Sequence, residues 1–175
     1  TYMRTDSTNL SKEALAASKK FILEKFGKDF LPENSNFYKS KVANAQEAHE
    51  AVRPAGTTFK EPQHVLKSLG KDEAKLYELI LNRTLASQMK PAQYIRTNIE
   101  IINGKSLYRA SGNITTFKGY TAAYEQALSR TQKSVVAALP PIEKDSKIIH
   151  NNIDALERNT TPPRRFSEAM LVKEM

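Results

Sequence analysis

The hydrophobic period of this chain changes at Pro91, and that change limits the folds open to it. Before Pro91 the apolar residues recur at helical spacing. After it, Tyr94-Ile95-Arg96-Thr97-Asn98-Ile99-Glu100-Ile101 alternates with period two. Asn103-Gly104 then gives a strong two-residue hairpin signal ahead of a second strand over Lys105–Ser111, since such turns need residues that tolerate positive φ. Helices followed by strands make the expected class α+β.

The helical part is expected to open at Ser11, an N-cap residue, with Glu13 placed well against the helix dipole and Leu15, Ile22 and Phe26 along one face until Gly27 ends it. Pro32 to Lys41 is polar and turn-prone. A short helix is expected over Ala45–Val52, stopped by Pro54, then a loop from Ala55 to Glu61. Pro62 opens another short helix carrying Val65, Leu66 and Leu69, closed by Gly70. Asp72 to Met89 reads as a long amphipathic helix with Leu76, Ile80, Leu81, Thr84 and Leu85 on its packed side. Beyond the hairpin, Ile114–Phe117 suggests a third strand, Tyr120–Leu128 a short helix, Lys147–Ala155 a further strand, and Ser167 the N-cap of a last helix. The expected organisation is a helical module over residues 1–90, a β-rich module over 91–163, and from Arg164 to residue 175 the start of another helical module.

Charge narrows the function. The chain holds 27 Lys and Arg against 19 Asp and Glu, a net charge of +8, which in 175 residues is the footprint of a partner that is a polyanion. Cys is absent and only His49, His64 and His150 represent histidine, so disulfides, thiolate metal sites and a cysteine nucleophile are excluded and no metal site is expected within the chain. No apolar run is long enough for a membrane span and no leader pattern is present, so the expected setting is cytoplasmic, without membrane contact. Both ends stop abruptly, which suggests a piece of a longer protein.

Three segments carry a specific signal: Thr1-Tyr2-Met3-Arg4-Thr5-Asp6-Ser7-Thr8; Gln46-Glu47-Ala48-His49-Glu50-Ala51-Val52-Arg53-Pro54; and Thr161-Pro162-Pro163-Arg164-Arg165-Phe166-Ser167-Glu168-Ala169, running into Leu171-Val172-Lys173-Glu174. In this order and spacing they resemble the type IA DNA topoisomerases. Met3 and the His49–Pro54 segment are more similar to the bacterial topoisomerase I branch than to topoisomerase III or reverse gyrase. The resemblance implies that the intact enzyme cleaves one DNA strand, holds its 5′ phosphate on Tyr2, passes a strand and reseals without ATP, relaxing negatively supercoiled DNA. It further implies that residues 91–163 belong to an arch or hinge. Magnesium would be held by a TOPRIM domain ahead of Thr1, so the piece alone would bind single-stranded DNA but not relax DNA.

The residues suit that chemistry. A phosphodiester can be cut and resealed without outside energy when a nucleophile keeps the bond energy in a covalent link, as a tyrosine phenolate does. A free phenol has a pKa of about 10, so it needs nearby positive charge or a route for its proton. In extended chain Tyr2, Arg4 and Asp6 share a face. Arg4 can then steady the phenolate or grip the scissile phosphate with its two-pronged guanidinium, while Asp6 orients Arg4 or His49. On the expected helix His49 and Arg53, four residues apart, approach one phosphate together. Lys39 and Lys41 join Arg53 as non-specific phosphate contacts, and Arg164 and Arg165, ahead of a helix start, are candidates for the same role. Tyr38 either packs or stacks on a base. His64 and His150 fall in no motif and are expected to be structural or surface residues. Two other classes fit the composition: a non-catalytic basic module for single-stranded nucleic acid, in which Tyr2 only stacks, and a purely structural hinge. Part of the arch sheet would come from earlier sequence, so an exposed strand edge between Tyr94 and Ser111 and weak self-association through it are also expected.

Overall fold

A computed structural model describes residues 7–38, 50–125, 139–149, 152 and 154–174, and the chain forms two compact units, Thr1–Pro140 and Pro141–Met175. The class is α+β, as the change of period indicates.

In the first unit, helix α1 spans Lys12–Lys25. Ser11 caps it by accepting the Ala14 N–H at 3.2 Å, Glu13 lies in the first turn and Lys25 in the last. Its buried stripe is Ala14, Ala17, Ser18, Phe21 and Ile22, at offsets of 3, 4, 7 and 8 from the first, and its small residues let α1 approach its neighbour closely. Leu15 and Phe26 sit half-buried at the margin of this stripe. A 3-10 turn, Lys28–Phe30, follows Gly27. Helix α2, Pro62–Ser68, begins on its proline and buries Val65, while Leu66 and Leu69 are exposed.

Helix α3, Lys71–Ser87, starts with Gly70 as its N-cap and buries Ala74, Leu81, Thr84, Leu85 and Ala86. Leu81 and Leu85 are almost fully enclosed, but Leu76 is 58% exposed. The packed stripe runs through Ala74, Tyr77, Leu81 and Leu85, and Leu76 lies off it by more than a quarter turn. The core joins Ala17, Phe21 and Ile22 of α1 to Leu81, Leu85 and Ala86 of α3, with Phe59, Met89 and Ala123 filling the ends. At roughly 1.5–3 kcal/mol for each large apolar side chain enclosed, Phe21, Ile22, Leu81 and Leu85 dominate the cohesion of this unit.

Strand β1, Gln93–Asn103, pairs antiparallel with β2, Ser106–Phe117, across a turn whose Gly104 takes φ 59°. Ile114–Phe117 is therefore not a separate third strand. Gly112 sits opposite Thr97 and Asn113 opposite Arg96, so the ladder continues through the residues that read as a break. One face sets Ile95, Thr97, Ile99 and Ile101 against Ile114, Gly112, Ala110 and Tyr108. The other is polar, with the Arg109–Glu100 ion pair at 2.9 Å and the Ser111 hydroxyl donating to Asn98 at 2.8 Å. Among the described residues these two strands pair only with each other.

The hairpin is rooted at its open end. Lys90 N–H donates to the Phe30 carbonyl and Tyr120 N–H to the Lys90 carbonyl, both at 2.9 Å, and the Phe30 and Phe117 rings lie 5.0 Å apart. A 3-10 turn, Gly119–Tyr124, then returns to the core through Ala123. This replaces the start of the helix expected from Tyr120; residues 126–128 of that expectation lie outside the described residues. The compact division at Pro140 thus falls well beyond the change of period at Pro91.

In the second unit helix α4, Glu168–Glu174, is capped by Ser167, whose hydroxyl accepts the Met170 N–H at 3.3 Å. The strand expected over Lys147–Ala155 is not formed by its described residues, and Ile149 is 89% exposed. Alternating isoleucines make a strand only when a neighbouring strand takes up their backbone groups, and none does so among the described residues. Likewise Glu50–Val52 are not helical, which corrects the end of the helix expected over Ala45–Val52; residues 45–49 lie outside the described residues.

Gly119 tests the hairpin root. It holds φ 49°, and a Cβ there would meet the Pro91 carbonyl carbon at 2.5 Å and Ala92 N at 2.6 Å, whereas Gly104 has open space around it. Gly119→Ala is expected to cost about 1–3 kcal/mol through combined strain and overlap, and Gly104→Ala roughly 1–2 from φ alone. Both are read as shifts in the urea midpoint at unchanged slope. A Gly119→Ala variant no less stable than Gly104→Ala would show that the root is not closely packed.

Candidate functional site

The ends of the first two marked segments are stitched together at the start of α1. Ser7 is buried, and its hydroxyl accepts the Asn9 N–H at 3.3 Å, folding the chain that leads into Ser11. Ala51 N–H donates to the Asn9 carbonyl at 2.8 Å, and Ser11 N–H donates to Glu50 Oε1 at 2.8 Å. Thr8 adds a third tie, its hydroxyl donating to the Tyr38 carbonyl at 2.8 Å. Asp6 immediately precedes Ser7 and His49 immediately precedes Glu50 in the sequence.

Glu50 centres this junction. Arg53 grips it with two prongs, Nε to Oε1 at 2.7 Å and Nη2 to Oε2 at 3.0 Å, and Arg53 Nη1 donates to the Pro54 and Gly56 carbonyls at 2.9 and 3.0 Å. The Arg53 side chain is only 12% exposed. Burial alone would raise the Glu50 pKa, but the hydrogen bonds from Arg53 and from Ser11, with the guanidinium charge, together hold it below the ordinary carboxylate value. Glu50 thus does the work of a capping-box acid for α1, but from 39 residues away.

Residues 50–53 are not helical, so the described part of that segment lacks the helical spacing expected to align Arg53 with His49, which itself lies outside the described residues. The described residues place Arg53 inside the junction; Arg164 and Arg165 are exposed on irregular chain ahead of α4, in the other unit. Tyr2, Arg4, Asp6, His49, Lys39 and Lys41 lie outside the described residues.

Two tyrosines are committed to structure. The Tyr38 hydroxyl donates to the Ser87 carbonyl at 2.6 Å, while Tyr77 donates to the Lys60 carbonyl and accepts the Lys60 N–H, both at 2.9 Å. Burial pushes the Tyr77 phenol up, the opposite of what a nucleophile needs. Tyr38 belongs to a knot in which Asn36 N–H donates to Gln88 Oε1, Asn36 Nδ2 to the Ser87 and Met89 carbonyls, and Gln88 Nε2 back to the Asn36 carbonyl. Sequence reasoning missed this knot and the tie from Glu50 to the Ser11 N–H. An S-x-x-E capping pattern is a local signal, and no local signal exists for an acid supplied from another segment.

Among the described residues no three His, Asp or Glu side chains gather as metal ligands. No helix of the described chain is long and apolar enough to cross a membrane.

Comparison with known proteins places these features in context. A family model described as DNA topoisomerase matches residues 1–175. The chain is 43% identical over 175 residues to DNA topoisomerase 1 of Campylobacter jejuni, covering all of this chain and 24% of that protein. It is 41% identical to DNA topoisomerase 1 of Pseudomonas aeruginosa, again over all of this chain and 20% of the relative. Full-length topoisomerase I from Thermotoga maritima superposes with a TM-score of 0.62 at 34% identity, over 81% of this chain and 21% of that one. The chain thus spans a quarter or less of the length of these relatives.

The depressed Glu50 pKa gives a pH dependence. Its unfolded value is near 4.5 and its folded value lower, so the junction's contribution is fully present above about pH 4.5 and is lost as pH falls through the folded value. Glu50→Gln is expected to cost about 1–2 kcal/mol at pH 7, the scale of a charged hydrogen bond at a partly exposed site. In thermal denaturation from pH 7 to 3.5 the gap between Glu50→Gln and the parent chain should narrow toward the acid end. A gap that stays constant across this range would show that the carboxylate charge is not what holds the junction.

Proposed function

Because the chain belongs to the bacterial DNA topoisomerase family, in the topoisomerase I branch of the type IA enzymes, we propose that it is the tyrosine-bearing part of an enzyme that relaxes negatively supercoiled DNA. The observation that carries this reading is the junction at the start of α1, where the tyrosine segment and the His49 segment are joined through Asn9, Ser11, Glu50 and Ala51. A nucleophile and the groups that serve it must share a fixed frame to within a fraction of an ångström. Two stretches about 40 residues apart, laced together by the Ser11–Glu50 and Ala51–Asn9 hydrogen bonds and stiffened by the Glu50–Arg53 ion pair, are such a frame.

In this reading the Tyr2 Oη attacks the scissile phosphorus. The O–P bond to tyrosine forms as the bond to the 3′ oxygen breaks, the phenolic proton leaves with a base or solvent, and the 3′ oxygen takes up a proton. Resealing runs the same steps backward, so no ATP is consumed. Arg4 steadies the phenolate or the phosphate, Asp6 orients its neighbours, and His49 contacts the phosphate beside them. Tyr38 and Tyr77, with hydroxyls engaged by backbone, are not the nucleophile. Magnesium belongs with acidic residues of a TOPRIM domain outside these 175 residues, and no step here is routed through it. Without that domain the chain binds single-stranded DNA through Lys39, Lys41, Arg164 and Arg165 but does not relax DNA. Residues 91–163 serve as the arch or hinge, residues 164–175 begin a further helical module, and the enzyme works in the cytoplasm.

The decisive variant is Tyr2→Phe in the intact enzyme with magnesium. It keeps the ring and its stacking area but removes the attacking oxygen, so covalent adduct and relaxation should vanish while single-strand affinity stays within a few-fold. A module that merely stacks on bases would form no adduct in the parent either. Mass spectrometry of the trapped complex should find nucleotide on Tyr2; nucleotide on Tyr94 or Tyr108 would overturn the assignment.

The sheet edges generate a second expectation. The outer edges of β1 and β2 and the isoleucine face of the hairpin, including Ile95 at 56% exposed, offer backbone and apolar surface to a second copy of the isolated chain. Sedimentation over a concentration series should show a weak dimer, abolished by Ile99→Lys. A strict monomer at every concentration would remove this proposal.

A further inference from the structure

We infer that Glu50 and Arg53 are positioning residues that hold the tyrosine segment and the His49 segment in register, and that Arg53 does not contact DNA phosphate. This rests on the proposed strand cleavage. The residue types alone favour the opposite assignment, since an arginine in a basic protein, one turn beyond a histidine, is a natural phosphate ligand.

Three observations point the other way. Arg53 directs Nε and Nη2 to Glu50 and both Nη1 hydrogens to the Pro54 and Gly56 carbonyls, so a phosphate gripped by its fork would have to displace bonds of 2.7–3.0 Å. Its side chain is 12% exposed, which a groove-facing cation would not be. The acid it grips is the same one that accepts the Ser11 N–H, with Ala51 N–H bonded to the Asn9 carbonyl alongside. The guanidinium thus fixes one carboxylate rotamer, and that carboxylate fixes how the chain emerging from Ser7 lies against the chain emerging from residue 49. A lysine would keep the charge but could not hold two carboxylate oxygens and two carbonyls at once. Glu50→Gln would keep the shape but lose the charge and one acceptor, leaving an amide N–H against the guanidinium.

The test uses the intact enzyme and a single-stranded oligonucleotide, with two readouts on each of Arg53→Ala, Arg53→Lys, Glu50→Gln and the double variant Glu50→Gln/Arg53→Ala. The first is the slope of log affinity against log salt. A lost phosphate contact lowers it by about 0.7; positioning leaves it at the parent value in every variant. The second is single-turnover cleavage at saturating DNA, with the fraction of enzyme reacting recorded separately from the rate constant. Simple loss of folded protein lowers the fraction, whereas lost register lowers the rate constant, by tenfold or more for each single variant. The double variant should be no slower than the worse single one, because both remove one joint. A slope reduced by about 0.7 in Arg53→Ala, or parent-like rate constants in Glu50→Gln, overturns the inference. Should Arg53→Ala fail to fold, Arg53→Lys and Glu50→Gln give the same two readouts. A parent enzyme that forms no adduct would fail the proposed function itself, a result distinct from any of these.

Discussion

One partly exposed carboxylate ties the start of α1 to the chain around residue 50 in the first unit. Glu50 accepts the first free backbone N–H of α1 and is in turn clamped by Arg53, so helix start, preceding segment and loop share a single electrostatic joint. Removing any partner leaves a charge or a donor without its hydrogen bonds at a partly exposed site, a loss on the scale of a charged hydrogen bond. The apolar core of α1 and α3 makes the unit stable. The joint decides how its ends are arranged.

The order of the elements follows from this division of labour. Small residues at Ala14, Ala17 and Ser18 bring α1 against the rest of the unit, and Phe21 and Ile22 meet Leu81 and Leu85 of α3 in the interior. Polar ties then fasten what the core does not reach: the Asn36–Gln88 knot holds the end of α3, and the Lys90 backbone joins the Phe30 turn to Tyr120. None of these ties is an exposed surface ion pair of the kind worth little on its own.

Much of this was readable from local pattern. Ser11 as a cap, Pro62 as a helix start and Ser167 as a second cap all depend on residues within three or four positions of each other, and all hold; the hairpin turn also forms, but at Gly104-Lys105, one residue later than expected, with Asn103 still in the ladder opposite Ser106. What failed shares a different character. Leu76 looked packed because it is leucine, yet the interior follows the stripe of Ala74, Tyr77, Leu81 and Leu85, whose small and aromatic members weaken the hydrophobic signal. Residues 147–155 have strand composition without a described strand to pair with, and Gly112-Asn113 looks like a break until its partner strand is known. The joint itself was half seen: Arg53 was noticed for its charge, but the tie from its partner Glu50 to Ser11 joins residues 39 apart in sequence and carries no period.

The rooted hairpin has a mechanical consequence. Its 11-residue first strand spans on the order of 35 Å at about 3.3 Å per residue, yet both of its feet meet at the single residue Lys90, under the Phe30–Phe117 contact. Such a shape is a cantilever on a narrow footing. A sideways push at the tip arrives at the base as torque on the turn that ends α1 and on the last turn of α3, with little translation of either. Large excursions far out along the ribbon can therefore rotate the helical body about one corner while its interior stays intact.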